Sequence, residues 1–256
     1  MKNNFFNIKK IGTGLPLVLL HGWGFHAEIF SPLVPLLEKE FELILVDLPG
    51  FGKSRLSSEQ DYDFLLLIAR LSEIVPQAAY WLGWSLGGLL TAGVALHYPE
   101  KVRGLIQMAT TPCFVAHPDW PGVPLATLHA FYKNLMQDTQ KTLTQFMALQ
   151  VFQVENHKVV LEKIKQQMSL YPPNLKALMQ SVELLKTVDL RAEMSHIHCP
   201  VLAIFGRLDA LVPCQVAAFM QTAMPQAKIV MLPQAGHIPF LSHPEECVRE
   251  IKQYVL

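Results

Sequence analysis

Ala79-Tyr80-Trp81-Leu82-Gly83-Trp84-Ser85-Leu86-Gly87-Gly88 is the stretch that decides the fold of this chain. An apolar run enters a G-x-S-x-G pentad, Gly83 to Gly87, and a helix-forming segment at about 87–97 leaves it. A serine at the tip of a sharp strand-to-helix turn is pushed out of the sheet into a cleft. The first N–H groups of the following helix then point at the same place. Glycine at both ends of the pentad lets strand and helix cross closely where a side chain would collide. An ordinary glycine-rich turn is the competing reading of the pentad alone, so the remainder of the chain has to decide.

Outward from the pentad, short apolar runs alternate with longer helix-like segments. Leu17–Leu20, Leu43–Val46, Tyr80–Leu82, Leu105–Met108, Val201–Phe205 and Ile229–Leu232 read as buried parallel strands. Helices are expected near 62–75, 87–97, 213–223 and 244–254. Asn4 to Ile11 adds an antiparallel edge strand or hairpin. This order predicts an α/β domain with a mostly parallel central sheet and helices on both faces. Between Cys113 and Lys186 the rhythm changes. Pro118, Pro121 and Pro124 precede helical spacings at Leu128, Phe131, Leu135, Leu143, Phe146 and Met147. Pro172-Pro173 interrupts them, and another helix runs to about Lys186. A helical cap at 113–186, inserted into a core made of 1–112 and 187–256, is the expectation. Ordinary crossover helices are the alternative, but roughly 70 residues between strands is long for a crossover.

The 256 residues are 51% hydrophobic and only 16% charged, with a formal net charge of zero. That suits a large buried core and offers no global attraction to nucleic acid or to an anionic membrane. No apolar run approaches the roughly 18 residues of a membrane span, and Met1 to Phe6 do not read as a signal peptide. Cys113, Cys199, Cys214 and Cys247 lack C-x-x-C spacing, which predicts reduced packing residues in a cytoplasmic protein. His196-x-His198 has no accompanying ligand set at metal spacing, so no metal or other cofactor is expected.

Serine is a poor nucleophile without a base, and the base needs an acid to orient it. Asp209 stands just past the strand run Val201–Phe205, and His237 just past Ile229–Leu232. Catalytic groups gather beyond the carboxyl ends of strands in open α/β sheets. Each residue has a plainer alternative: Asp209 as a helix N-cap before Pro213, His237 as a packed loop histidine. Asp47 and Asp189 are rival acids, but Asp47 reads as a loop holder and Asp189 precedes its strand. Ser85, Asp209 and His237 in that order resemble the triad of the α/β-hydrolases, and the expected fold is theirs. The oxyanion donors are then the N–H of Leu86 and the N–H of Trp23, in the loop His21-Gly22-Trp23-Gly24. The Trp23 ring would also wall the pocket.

The chain further resembles the carboxylesterases of biotin synthesis, which cleave the methyl ester of pimeloyl-acyl carrier protein. The likeness lies in Leu20–Gly24, Val46–Gly52 and Trp81–Gly88, then in Pro112–Phe114, Asp119–Gly122 and Phe146–Gln150, and finally in Leu185–Arg191 and Leu208–Pro213. It covers nearly the whole chain. The resemblance implies a cap that covers the acyl chain and meets an acidic acyl carrier protein. It implies substrate contacts at Trp23, Ser85, Leu86, Phe146, Met147, Ala148, Leu149, Gln150 and His237. Basic cap residues, here Lys141, Lys158 and Lys165, would face the carrier, with a solvated helix face as their plainer reading. Gln145 departs from the family, which favours a basic residue there. A monomer without a nucleic-acid or membrane partner is expected. The rival functions are a broad short-chain esterase, a carbon–carbon hydrolase or lyase on the same scaffold, and a non-catalytic receptor.

Overall fold

In the computed structural model, which describes residues 5–58 and 60–256, seven segments form strands. They are β1 (Asn7–Ile11), β2 (Leu15–Leu20), β3 (Phe41–Asp47), β4 (Ala79–Trp84), β5 (Val102–Met108), β6 (Val201–Gly206) and β7 (Lys228–Leu232). They pair in the order β1-β3-β2-β4-β5-β6-β7. β1 runs antiparallel to β3, and the other neighbours are parallel. The central strands are continuous apolar runs because both faces are covered; Leu17 to Leu20 have no exposed surface. β1 carries Lys9 and Lys10, outward-facing charges that suit an edge. Asn4, where the sequence places the start of this strand, lies outside the described residues.

The helices are α1 (Val34–Leu37), α2 (Phe64–Ser72), α3 (Leu86–His97), α4 (Leu125–Gln137), α5 (Thr139–Gln150), α6 (His157–Leu170), α7 (Leu175–Thr187), α8 (Val216–Ala223), α9 (Pro239–Ser242) and α10 (Pro244–Val255). α3 is apolar all round because it is buried nearly all round, from Leu86 to Ala95. Asp63 caps α2, its carboxylate accepting from Leu66 N. α4 to α7 occupy the interval between β5 and β6. Asp138 separates α4 from α5 and caps the latter by accepting from Lys141 N, a boundary the apolar spacing did not mark.

Strand order sets the position of the site. The chain passes from β2 to β3 on one side, then crosses to lay β4 on the other side of β2. The turns leaving β2 and β4 therefore lie side by side at the carboxyl edge, with Leu20 paired to Gly83. A reversal of this kind opens a crevice where ligands bind in α/β sheets.

Candidate active site

β4 ends in a turn whose geometry glycine permits. A Cβ on Gly83 would strike the backbone of Gly87 and Gly88, and one on Gly87 would strike the backbone of Leu20 and His21. Ser85 sits at the tip with φ of 54°, a left-handed conformation that L-residues rarely adopt. The surroundings hold it there: Ser85 N donates to Met108 O at 3.0 Å, and Thr110 Oγ1 donates to Ser85 O at 2.7 Å.

Three loops from distant parts of the sequence converge on this serine. Ser85 Oγ lies 2.9 Å from His237 Nε2, and His237 Nδ1 lies 2.7 Å from Asp209 Oδ2. The side chains of His237 and Asp209 are each 1% exposed, so water does not compete for this bond. The second oxygen of Asp209 accepts from Leu211 N at 2.7 Å and Val212 N at 2.9 Å. One carboxylate thus shapes its own loop and fixes the imidazole. His237 is held at its backbone too: its N–H donates to Gln150 O at 3.1 Å, and its carbonyl accepts from Trp84 Nε1 at 2.8 Å.

Leu86 opens α3, so its N–H lies among the first helical donors, which have no partner inside the helix. The loop of His21 to Gly24 packs beside the elbow, and a Cβ on Gly22 would come within 3.1 Å of Ser85 Cβ. Trp23 reaches away from that loop: its Nε1 donates to Leu178 O in α7 at 3.0 Å, and its ring meets Phe131 and Phe146 edge-on. His21, which the sequence did not single out, anchors the same loop. Its Nδ1 donates to Gly22 O at 2.8 Å and its Nε2 accepts from Leu48 N at 3.0 Å. Complete burial pushes its pKa down to about 4, against the opposing pull of Asp47, so the ring is neutral. Asp47 binds Ala27 N, Lys53 N and Asn7 Nδ2, consistent with a loop holder. Asp189 is paired with Arg191.

A cavity with about 670 Å3 of empty space, mouth included, is lined by both Ser85 and His237. Apart from these two and Thr127, its walls are apolar, including Trp23, Phe131 and Phe146. Of the segment Phe146 to Gln150, Phe146 and Leu149 face the cavity. Met147, Ala148 and Gln150 are not among its lining residues. The segment lies in α5, and successive residues of a helix point in different directions. Met147 is buried in the core, Ala148 is exposed, and Gln150 contributes its carbonyl to His237. Lys141, Lys158 and Lys165 are exposed on α5 and α6, and Lys165 pairs with Glu162 at 2.8 Å.

Residues 16–244 match the family described as the alpha/beta hydrolase fold. The pimeloyl-[acyl-carrier protein] methyl ester esterase of Aeromonas hydrophila is 37% identical, over 97% of this chain and 98% of its own length. The enzyme of the same name from Serratia marcescens is 41% identical, over 96% of both. The chain belongs to this esterase family of α/β hydrolases. Among solved structures, an esterase from Exiguobacterium antarcticum superposes with a TM-score of 0.91 at 24% identity, covering 98% of this chain and 95% of that one. A bromoperoxidase from Bacillus anthracis superposes at 0.90 with 21% identity, covering 98% and 95%. These two likenesses concern the α/β-hydrolase fold.

Proposed function

We propose that this chain is a serine carboxylesterase that hydrolyses the methyl ester of pimeloyl-acyl carrier protein, releasing methanol and the free acid for biotin synthesis. The observation that carries the reading is the continuous bond path Asp209–His237–Ser85 opening on an apolar cavity. The family relationship supplies the substrate. His237 Nε2 takes the Ser85 proton as Oγ attacks the ester carbonyl. Asp209 keeps the imidazole in the tautomer with the proton on Nδ1 and stabilises its cationic form. The N–H groups of Leu86 and Trp23 receive the oxyanion. His237 then gives its proton to the departing methoxide, and water, activated by the same ring, cleaves the acyl-enzyme.

Residues 113–186 act in this reading as a cap over the acyl chain, with Leu128, Phe131, Phe146 and Leu149 among the residues that line the cavity. Lys141 and Lys158 present positive charge to an acidic carrier protein. The four free cysteines support a reducing, cytoplasmic setting. The deciding experiment compares carrier-borne pimeloyl methyl ester with simple soluble esters, using wild type and Ser85→Ala. Hydrolysis of the carrier ester should fall about a millionfold in the variant. Retained turnover, or a wild type that prefers simple esters, would reject the assignment. A fluorophosphonate probe should label Ser85; absence of labelling would favour a receptor.

A further inference from the structure

We propose that Cys113, His117 and Asp189 form a binding site for a zinc-like divalent cation at the neck where the helical segment leaves and rejoins the sheet domain. The ligand-type atoms of these three side chains all lie within 4.8 Å of one another. Cys113 is buried, while His117 and Asp189 are exposed, so the cluster has a solvent path. A tetrahedral zinc site with one sulfur, one nitrogen and one oxygen ligand has ligand spacings of about 3.3–3.6 Å. Closing the remaining gap requires both exposed side chains to turn, Asp189 against its pairing with Arg191. Binding releases the Cys113 proton, which the free thiol donates to Val115 O at 3.4 Å, and the resulting thiolate, with an imidazole and a carboxylate, favours zinc over the hard cations and leaves the fourth position to water.

The backbone beneath the cluster is firmly built. Cys113 and Asp189 are antiparallel bridge partners, and Leu190 N donates to Pro112 O at 2.9 Å. His117 and Trp120 exchange two backbone hydrogen bonds of 3.0 Å, and Trp120 Nε1 donates to Cys113 O at 2.9 Å. Asp189 already receives Arg191, through Nε at 2.9 Å, Nη2 at 2.8 Å and the backbone N–H at 3.1 Å. Arg191 Nε also reaches Oδ2 at 3.1 Å, so each carboxylate oxygen already takes two contacts, and a cation has to displace part of this pairing. Ligating carboxylates commonly carry such outer hydrogen bonds. Sequence spacing hides the site, because Cys113-x-x-x-His117 gains its third member only from the far end of the helical segment.

The location gives the site a consequence. Cys113 lies on the outgoing strand of the neck and Asp189 on the returning one, so a bound cation ties them together. Phe114, next to Cys113, lines the substrate cavity. Occupancy therefore stiffens the helical segment on the sheet and fixes one wall of the cavity, without taking part in the chemistry at Ser85.

The test titrates the metal-stripped full chain with Zn2+ by calorimetry and with Co2+ by absorption. Wild type should bind one equivalent, gain thermal stability with Zn2+, and show thiolate-to-cobalt charge transfer. Cys113→Ser should lose the charge-transfer band. His117→Ala, a surface change that leaves the core intact, should weaken binding by at least about tenfold and abolish the thermal shift. His196→Ala should change nothing. Absence of saturable binding to wild type would overturn the proposal, as would binding that survives both Cys113→Ser and His117→Ala.

Discussion

Trp84 Nε1 donates to the carbonyl oxygen of His237 at 2.8 Å, joining the strand that leads into Ser85 to the loop of His237 across 153 residues. The indole also leans against the imidazole, with ring centres 5.7 Å apart. In the proposed mechanism Ser85 and His237 keep a fixed separation for proton transfer, and this bond ties the residue before Ser85 to the backbone of His237. Trp84→Phe keeps the ring and deletes the N–H. A buried carbonyl left without its donor costs about 1–3 kcal/mol. Thermal unfolding should drop accordingly, and kcat should fall roughly tenfold with little change in KM, since Trp84 does not line the cavity. An unchanged kcat would remove Trp84 from the machinery.

His21 predicts a pH dependence of stability. Its folded pKa of about 4 lies below the ordinary 6.5, so between these values the unfolded chain binds a proton that the folded one refuses. Stability from this group is complete above pH 6.5 and is lost as pH falls toward 4. The swing is at most about 3 kcal/mol. Denaturant titrations across this window should show the slope in wild type and a shallower one in His21→Gln. The variant should also be less stable at neutral pH, because the loop of Trp23 loses its anchor. Parallel pH profiles would refute the role.

The sheet was legible because strands buried on both faces must be continuous apolar runs, as Leu17–Leu20 and Val201–Phe205 are. Ser85, Asp209 and His237 were legible because each stands just beyond such a run. Asp209 shows why local reading left two options open: one oxygen caps a turn while the other holds His237. What stayed hidden depends on three-dimensional neighbours. Nothing in the order of residues places the Trp84 indole on His237, or Leu48 N on His21. The segment Phe146 to Gln150 was known as a unit by resemblance, but the helix divides it, giving the cavity only Phe146 and Leu149.

The cavity's apolar walls predict discrimination between ester and product. Removing a carboxylate from water without a partner is costly, whereas a neutral methyl ester enters such a site readily. In Ser85→Ala, which binds but does not turn over, the methyl ester should bind at least about tenfold more tightly than the free acid. Calorimetry with both carrier-borne ligands measures the ratio. Equal affinities would mean that the site holds a charge-binding group for the product.

The exposed lysines predict a salt effect confined to the carrier-borne substrate. Attraction between solvent-exposed charges fades beyond a Debye length of about 10 Å at 0.1 M salt. If Lys141 and Lys158 steer an acidic carrier, kcat/KM for the carrier ester should decline as ionic strength rises, while a small soluble ester is scarcely affected. Lys141→Glu and Lys158→Glu should each lower carrier turnover roughly three- to tenfold. Lys165→Glu should do less, because Glu162 already offsets that charge at 2.8 Å. Soluble-ester kinetics serve as the internal control in all three variants. Equal losses on both substrates would place the lysines in folding rather than docking, and no loss on either would leave them a solvated helix face.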